Sequence, residues 1–125
     1  MRKILLIIPM LMFLVLPALI FGETLTWMNP TQYVDGSAIS PADQAKIKTR
    51  IYWSMQSDSG WVEFAVVENG GNMWTGQLPA ARGVTAYYTL RSELNGLLSD
   101  YMVPSVSYTR PFVPTKAPTG LTILP

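Results

Sequence analysis

The stretch Leu25–Ile39, LTWMNPTQYVDGSAI, constrains the fold more than any other part of the chain. Leu25 and Trp27 alternate with Thr24, Thr26 and Met28, the period-2 pattern of a strand with one face buried. Asn29-Pro30 then stops the strand, because proline has no amide hydrogen for a ladder and restricts the residue before it. Asp35-Gly36-Ser37 supplies a tight turn before the next apolar position, Ile39. A strand, a stop and a turn within fifteen residues leave no room for a long helix.

The same grammar repeats downstream. Ser40-Pro41-Ala42-Asp43-Gln44-Ala45 has the form of one helical turn capped by Ser40. In Lys46–Ser54, Ile47, Thr49, Ile51 and Trp53 share one face, while Lys46, Lys48, Arg50 and Tyr52 take the solvated other face. Trp61–Glu68 is strongly β-prone, with Val62, Phe64 and Val66 expected inward and Glu63 outward. Asn69-Gly70-Gly71-Asn72 reads as a hairpin turn. Met73–Leu78 is a short strand ended by Pro79. In Val84–Ser92 the inward set is Val84, Ala86, Tyr88 and Leu90, leaving Thr85, Tyr87, Thr89 and Arg91 outside. Asn95-Gly96 turns the chain again. Met102–Thr109 carries Pro104 and is therefore an edge strand. Short strands separated by turns predict an all-β antiparallel sandwich of about seven strands.

Before this region lies Arg2-Lys3 and an apolar run from Ile4 to Phe21, the form of an N-terminal signal segment spanning residues 1–22. Gly22 is a small residue at the cut, so cleavage leaves Glu23 first. The alternative is a signal anchor retained in the membrane, since ~18–20 apolar residues suffice to span it. Either reading exports the domain, because the positive end stays in the cytoplasm. Membrane contact is then expected only through an uncleaved leader. The absence of cysteine leaves nothing to acylate, no disulfide framework and no thiolate metal site.

Histidine is also absent, which removes the commonest general base and zinc ligand. The eight acids are scattered over turns and strand ends, and no serine has a lysine at dyad spacing. Gly70-Gly71 lacks the Lys-Ser/Thr of a phosphate loop. The chain is accordingly expected not to be an enzyme and to use no cofactor or metal. Without Arg2 and Lys3 the formal charge is −1, so no basic footprint points to nucleic acid.

Taken in order, LTW at 25–27, NPT at 29–31, DGS at 35–37 and RIYW at 50–53 resemble a bacterial or phage fibronectin type III domain. WTGQLP and RG within 74–83, YYTLRS at 87–92 and LSDY at 98–101 continue the likeness, which covers residues 23–109. The resemblance implies an immunoglobulin-like sandwich acting as a structural or protein-interaction unit at the cell envelope, outside the cell or in a phage-encoded product. Three features depart from it. The family's first strand is missing before Leu25, Ala86 stands at the usual corner tyrosine, and Lys116–Ile123 looks like that first strand at the wrong end.

The tail, residues 110–125, is rich in proline, with β character again at 119–124. Two readings of it stand: the stub of a following domain, or a strand that pairs with Leu25–Met28. Arg110–Pro118 in polyproline geometry spans on the order of 28 Å, the length of the sandwich.

Binding is the function class that the composition leaves open. Trp27 and Trp53 fall on inward faces, whereas Tyr52, Trp61 and Tyr87 are expected outward as a ligand or partner surface. The partner is expected to be a protein, or alternatively a glycan in a carbohydrate-binding or adhesion module. Cross-strand cover of the sheet is the plainer role for the same rings.

Overall fold

The computed structural model describes residues 11–15, 22–112 and 118–125. Eight strand segments and one helical turn follow in order: β1 Leu11–Val15, β2 Glu23–Met28, α1 Pro41–Gln44, β3 Lys48–Ser54, β4 Val62–Val67, β5 Met73–Gly76, β6 Thr85–Leu94, β7 Leu97–Leu98 and β8 Val106–Thr109. One antiparallel sheet has the order β1-β2-β5, and a second runs β4-β3-β6-β7, with β8 also on β6. Because β3 takes one edge of β6, β7 and β8 share the other, which gives seven strand positions. The fold is an all-β antiparallel sandwich.

The alternation in the sequence builds the core. Leu25 and Trp27 from the first sheet meet Ile51, Ala86, Tyr88 and Leu90 from the second, with Leu78, Ala80 and Met102 filling the ends. Each large apolar side chain fully buried this way contributes roughly 1.5–3 kcal/mol. Trp53, Phe64 and Trp74 close the flank, with Phe64 edge-on to Trp74 at 5.4 Å and to Tyr88 at 6.1 Å. A smaller cluster of Ile39, Ile47 and Leu94, backed by Tyr33, anchors the loop after β2.

The turns follow their chemistry. Asn69 and Gly70 both take positive φ, as do Asn95 and Gly96. Ser40 caps α1, its Oγ accepting from Asp43 N at 3.1 Å. Ser37 N donates to Asp35 Oδ1 at 2.9 Å across the Asp-Gly turn.

Asn29 does more than end β2. Its Oδ1 accepts from Trp27 Nε1 (2.9 Å) and Thr49 Oγ1 (3.3 Å), while Nδ2 donates to Gly70 O (2.8 Å) and Gly71 O (3.2 Å). One amide thus joins β2, β3 of the opposite sheet and the β4–β5 turn. At the other end of β2, Glu23 occupies the inward position. Its Oε1 accepts from Arg110 Nε at 2.8 Å, and Arg110 Nη1 also donates to Leu78 O and Ala80 O. The buried charge is paired and hydrogen-bonded, as burial requires.

Several expectations are corrected. A strand does precede Leu25 and pair with it: residues 11–15, inside the apolar leader, run along β2 from Leu11↔Met28 to Val15↔Thr24. A uniformly apolar run has no period to betray a strand. The rest of the expected signal segment, residues 1–10 and 16–21, lies outside the described residues. At the other end, residues 119–124 form no strand, and the β2 edge expected to receive them is taken by β1.

Val66 is outward, not inward, because the register shifts between Ile51 and Tyr52, which pair with Ala65 and Glu63 and leave Phe64 as the extra residue of a bulge. Phe64, Ala65 and Val67 then pack on the core while Val62 and Val66 are exposed. The last strand is shortened to Val106–Thr109, since Pro104 cannot donate to β6.

Candidate binding surface

The outer face of the five-stranded sheet carries the residues singled out for binding. Tyr52 on β3 stands opposite Thr89 on β6, and Ser54 stands opposite Tyr87, so the two tyrosines are diagonal neighbours on one face. Tyr52 is nevertheless only 7% exposed, which corrects its expected exposure. The cover is Tyr101, whose ring meets Tyr52 edge-on at 5.1 Å.

Tyr101 is held by the segment that follows β7. Ser92 N donates to Ser99 Oγ at 2.9 Å, Met102 N to Leu90 O at 2.9 Å, and Thr89 Oγ1 to Met102 O at 2.8 Å. These bonds lay Ser99–Met102 along β6, so Thr89 is fully buried although it points outward. Arg91 Nε donates to Ser99 O at 2.7 Å, which places its guanidinium carbon 4.7 Å from the centre of the Tyr101 ring. Trp61, just before β4, lies 5.9 Å from the same ring, tilted by 33°. Trp61, Tyr101 and Arg91 therefore form a half-buried row above Tyr52, and Tyr87 sits on the same face, outside the ring contacts.

Sequence reasoning missed Tyr101 and Arg91. The available signal was the aromatic two residues past Ser99, after the Asn95-Gly96 hairpin, where a returning segment can fold over the sheet.

Charge on this face is largely balanced. Arg50 donates from Nε to Glu93 Oε1 at 3.0 Å and from Nη1 to Glu63 Oε1 at 3.0 Å. Lys48 Nζ lies 3.4 Å from Glu68 Oε1. Burial raises the Tyr52 phenol above its ordinary value, with the Glu63 carboxylate adding to the effect. At the end of β3, where the chain turns into β4, a hollow of about 260 Å³ is lined by Trp53, Ser54, Met55, Gln56, Gly60 and Val62. Its exposed apolar walls are Met55 and Val62.

This arrangement offers ring edges, one oriented guanidinium and an apolar hollow. Glu63 and Glu93 are engaged by the same arginine, and among the described residues no group of three acidic side chains converges on a metal position. No helix among the described residues is long and apolar enough to cross a membrane. The chain matches no protein-family model, no curated protein and no solved structure.

Proposed function

We propose that the chain is a non-enzymatic, exported module of fibronectin type III kind that docks a protein partner. Its place would be the cell envelope, the exterior of the cell or a phage-encoded product. The supporting observation is the row Trp61–Tyr101–Arg91, fixed over the buried ring of Tyr52. Trp, Tyr and Arg are the residue types that dominate binding energy at protein interfaces, the two rings because they offer large contact area at small cost in side-chain freedom and Arg because its planar fork donates several hydrogen bonds. The row is already ordered by backbone hydrogen bonds from Ser99–Met102, so docking would not have to order it.

The same geometry weighs against a glycan. Stacking on a sugar ring needs a free aromatic face; Tyr101 already meets Arg91, Tyr52 and Trp61, and Tyr52 is buried, which leaves such stacking to Trp61 and Tyr87 alone.

The test is capture of a defined envelope fraction by immobilised protein, compared among wild type, Trp61→Ala and Arg91→Ala, with a glycan array in parallel. Protease-sensitive capture that both variants lose supports the reading. Capture unchanged by both variants sinks it, and glycan binding lost in Trp61→Ala would establish the carbohydrate alternative.

A further inference from the structure

We infer that, once residues 1–22 are removed, the free edge of β2 is filled by residues 120–124 of a second copy of this chain. The inference rests on the export reading of the leader. It names a partner for a different surface from the aromatic row.

In the structure β2 has β5 on one edge and β1 on the other. Loss of β1 leaves a two-stranded sheet whose outer edge bares the backbone of Thr24–Met28, directly over the core residues Leu25 and Trp27. An open edge over apolar side chains recruits another strand, and a two-stranded sheet is marginal by itself.

The tail has the pattern this slot requires. Leu121, Ile123 and Leu124 are 92%, 90% and 85% exposed, large apolar side chains with nothing over them. An antiparallel strand in the direction of β1 must place apolar residues opposite Trp27 and Leu25, two positions apart. Leu121 opposite Trp27 and Ile123 opposite Leu25 meet that condition, with Thr122 opposite Thr26 as a favourable cross-strand pair. Main-chain hydrogen bonds would supply affinity and the two inward residues specificity, as in other strand additions.

Geometry decides between the chain's own tail and a neighbour's. The chain leaves β8 at the end where β2 begins, because Arg110 is bonded to Glu23. It is tied there further: Gly83 N donates to Arg110 O at 2.7 Å, and Arg82 Nη1 donates to Pro111 O at 3.0 Å. Phe112 lies against Gly83, where its ring fills the space a Cβ would take.

An antiparallel strand has to enter at the opposite end, beside Met28. That end is about 20 Å away along the strand, on a sheet about 10 Å across the sandwich. From Phe112 to Gly120 the chain makes eight steps, about 25 Å in polyproline geometry against about 22 Å in a straight line, which leaves only about 3 Å for the reversal that Pro114 and Pro118 resist. A second copy stacked end to end presents its Met28 end directly in the path of the tail. The contact is head-to-tail, so it repeats into an open chain of copies unless it closes into a ring.

The test starts from the full chain, expressed with its leader in an exporting host and recovered from outside the cytoplasm, its N-terminus read by mass spectrometry. Light scattering over a concentration series, on wild type and on Leu121→Asp/Ile123→Asp, reads the assembly. The expected result is a chain beginning at Glu23 whose mass grows with concentration in wild type and stays that of one chain in the double variant. The tail is exposed in the structure, so the double variant leaves the fold intact.

The chain has no cysteine, so single Thr26→Cys and Thr122→Cys chains, mixed, report the pairing by forming a disulfide heterodimer. A crosslink only in a single chain carrying both cysteines would mean that the tail folds back on itself, and overturns the inference. Processed protein that stays monomeric, or assembles equally well with Asp at 121 and 123, also overturns it while leaving the export reading standing. Recovery of chains with residues 1–22 attached removes the cleavage premise and the inference together.

Discussion

Arg110 and Glu23, 87 residues apart in the chain, join Nε to Oε1 at 2.8 Å with both side chains nearly fully buried. The bond ties the end of β8 to the start of β2 and so closes one end of the sandwich across its two sheets.

Arg110→Ala in the full chain leaves the Glu23 carboxylate buried and unpaired, which is expected to cost about 3–5 kcal/mol. Replacing both residues with methionine restores apolar packing and is expected to cost much less. Urea unfolding of the two variants checks this. Equal losses would mean that the ion pair itself stabilises the fold, rather than merely compensating its own burial.

Asn29 makes the corresponding tie at the other end of β2. Asn29→Asp keeps the acceptor for Trp27 Nε1 but removes both donors to Gly70 O and Gly71 O. A loss of about 1–3 kcal/mol is expected from two carbonyls left short of partners beside a new charge. Thr49→Val, which removes only the 3.3 Å bond to Asn29, should cost less. The order of the two denaturation midpoints is the measurement.

Much of this fold is legible in local sequence, and the reasons for the exceptions are physical. Leu25 and Trp27, Ile51 and Trp53, and Ala86, Tyr88 and Leu90 are read inward by alternation and are found there. The Asp35-Gly36, Asn69-Gly70 and Asn95-Gly96 turns and the Ser40 cap are equally plain. Three things are not. The bulge at Phe64 moves one residue between faces, which alternation cannot anticipate. The Arg110–Glu23 pair depends on contact between distant segments, with no local trace. The cover of Tyr52 by Tyr101 reverses an exposure that strand parity alone assigns. Of the candidate surface, therefore, the sequence indicated Tyr52, Trp61 and Tyr87 but not the residue that joins the first two.

Tyr101→Ala removes the ring that meets Tyr52, Trp61 and Arg91 together. We expect a loss of about 1–2 kcal/mol, more than for Trp61→Ala, since Trp61 meets one ring of the row. The near-ultraviolet circular dichroism of the tyrosine band should fall with Tyr101→Ala. An unchanged spectrum and midpoint would show that the row is not ordered in solution.

Tyr88 predicts an alkaline limit. Burial pushes its phenol up from 10 to about 12, and its hydroxyl has no hydrogen-bond partner among the described residues. The neutral form is favoured in the fold, so this contribution is intact below pH 10, the unfolded value, and is lost as pH rises from 10 towards 12. The loss amounts to about 3 kcal/mol once both forms have ionised. Tyr108 is raised in the same direction, again chiefly by burial. Tyr88→Phe should therefore flatten the alkaline decline, leaving the smaller part due to Tyr108, and be neutral or slightly stabilising at pH 7. Thermal melts at several pH values check both statements.

The Ser99–Met102 segment has a consequence for the order in which the molecule opens. The middle of β6 has neighbours on both edges and is covered on both faces, by the core, Met102 included, on one side and by Tyr101 on the other, where Thr89 Oγ1 also donates to the Met102 carbonyl. Its amides cannot meet water through fraying of an edge or lifting of one sheet. Hydrogen exchange at Tyr88–Ser92 should accordingly be the slowest in the chain and proceed through complete unfolding, whereas exchange in β5 and β8 proceeds through smaller openings. The strand that positions the candidate surface is thus also the last to exchange with solvent.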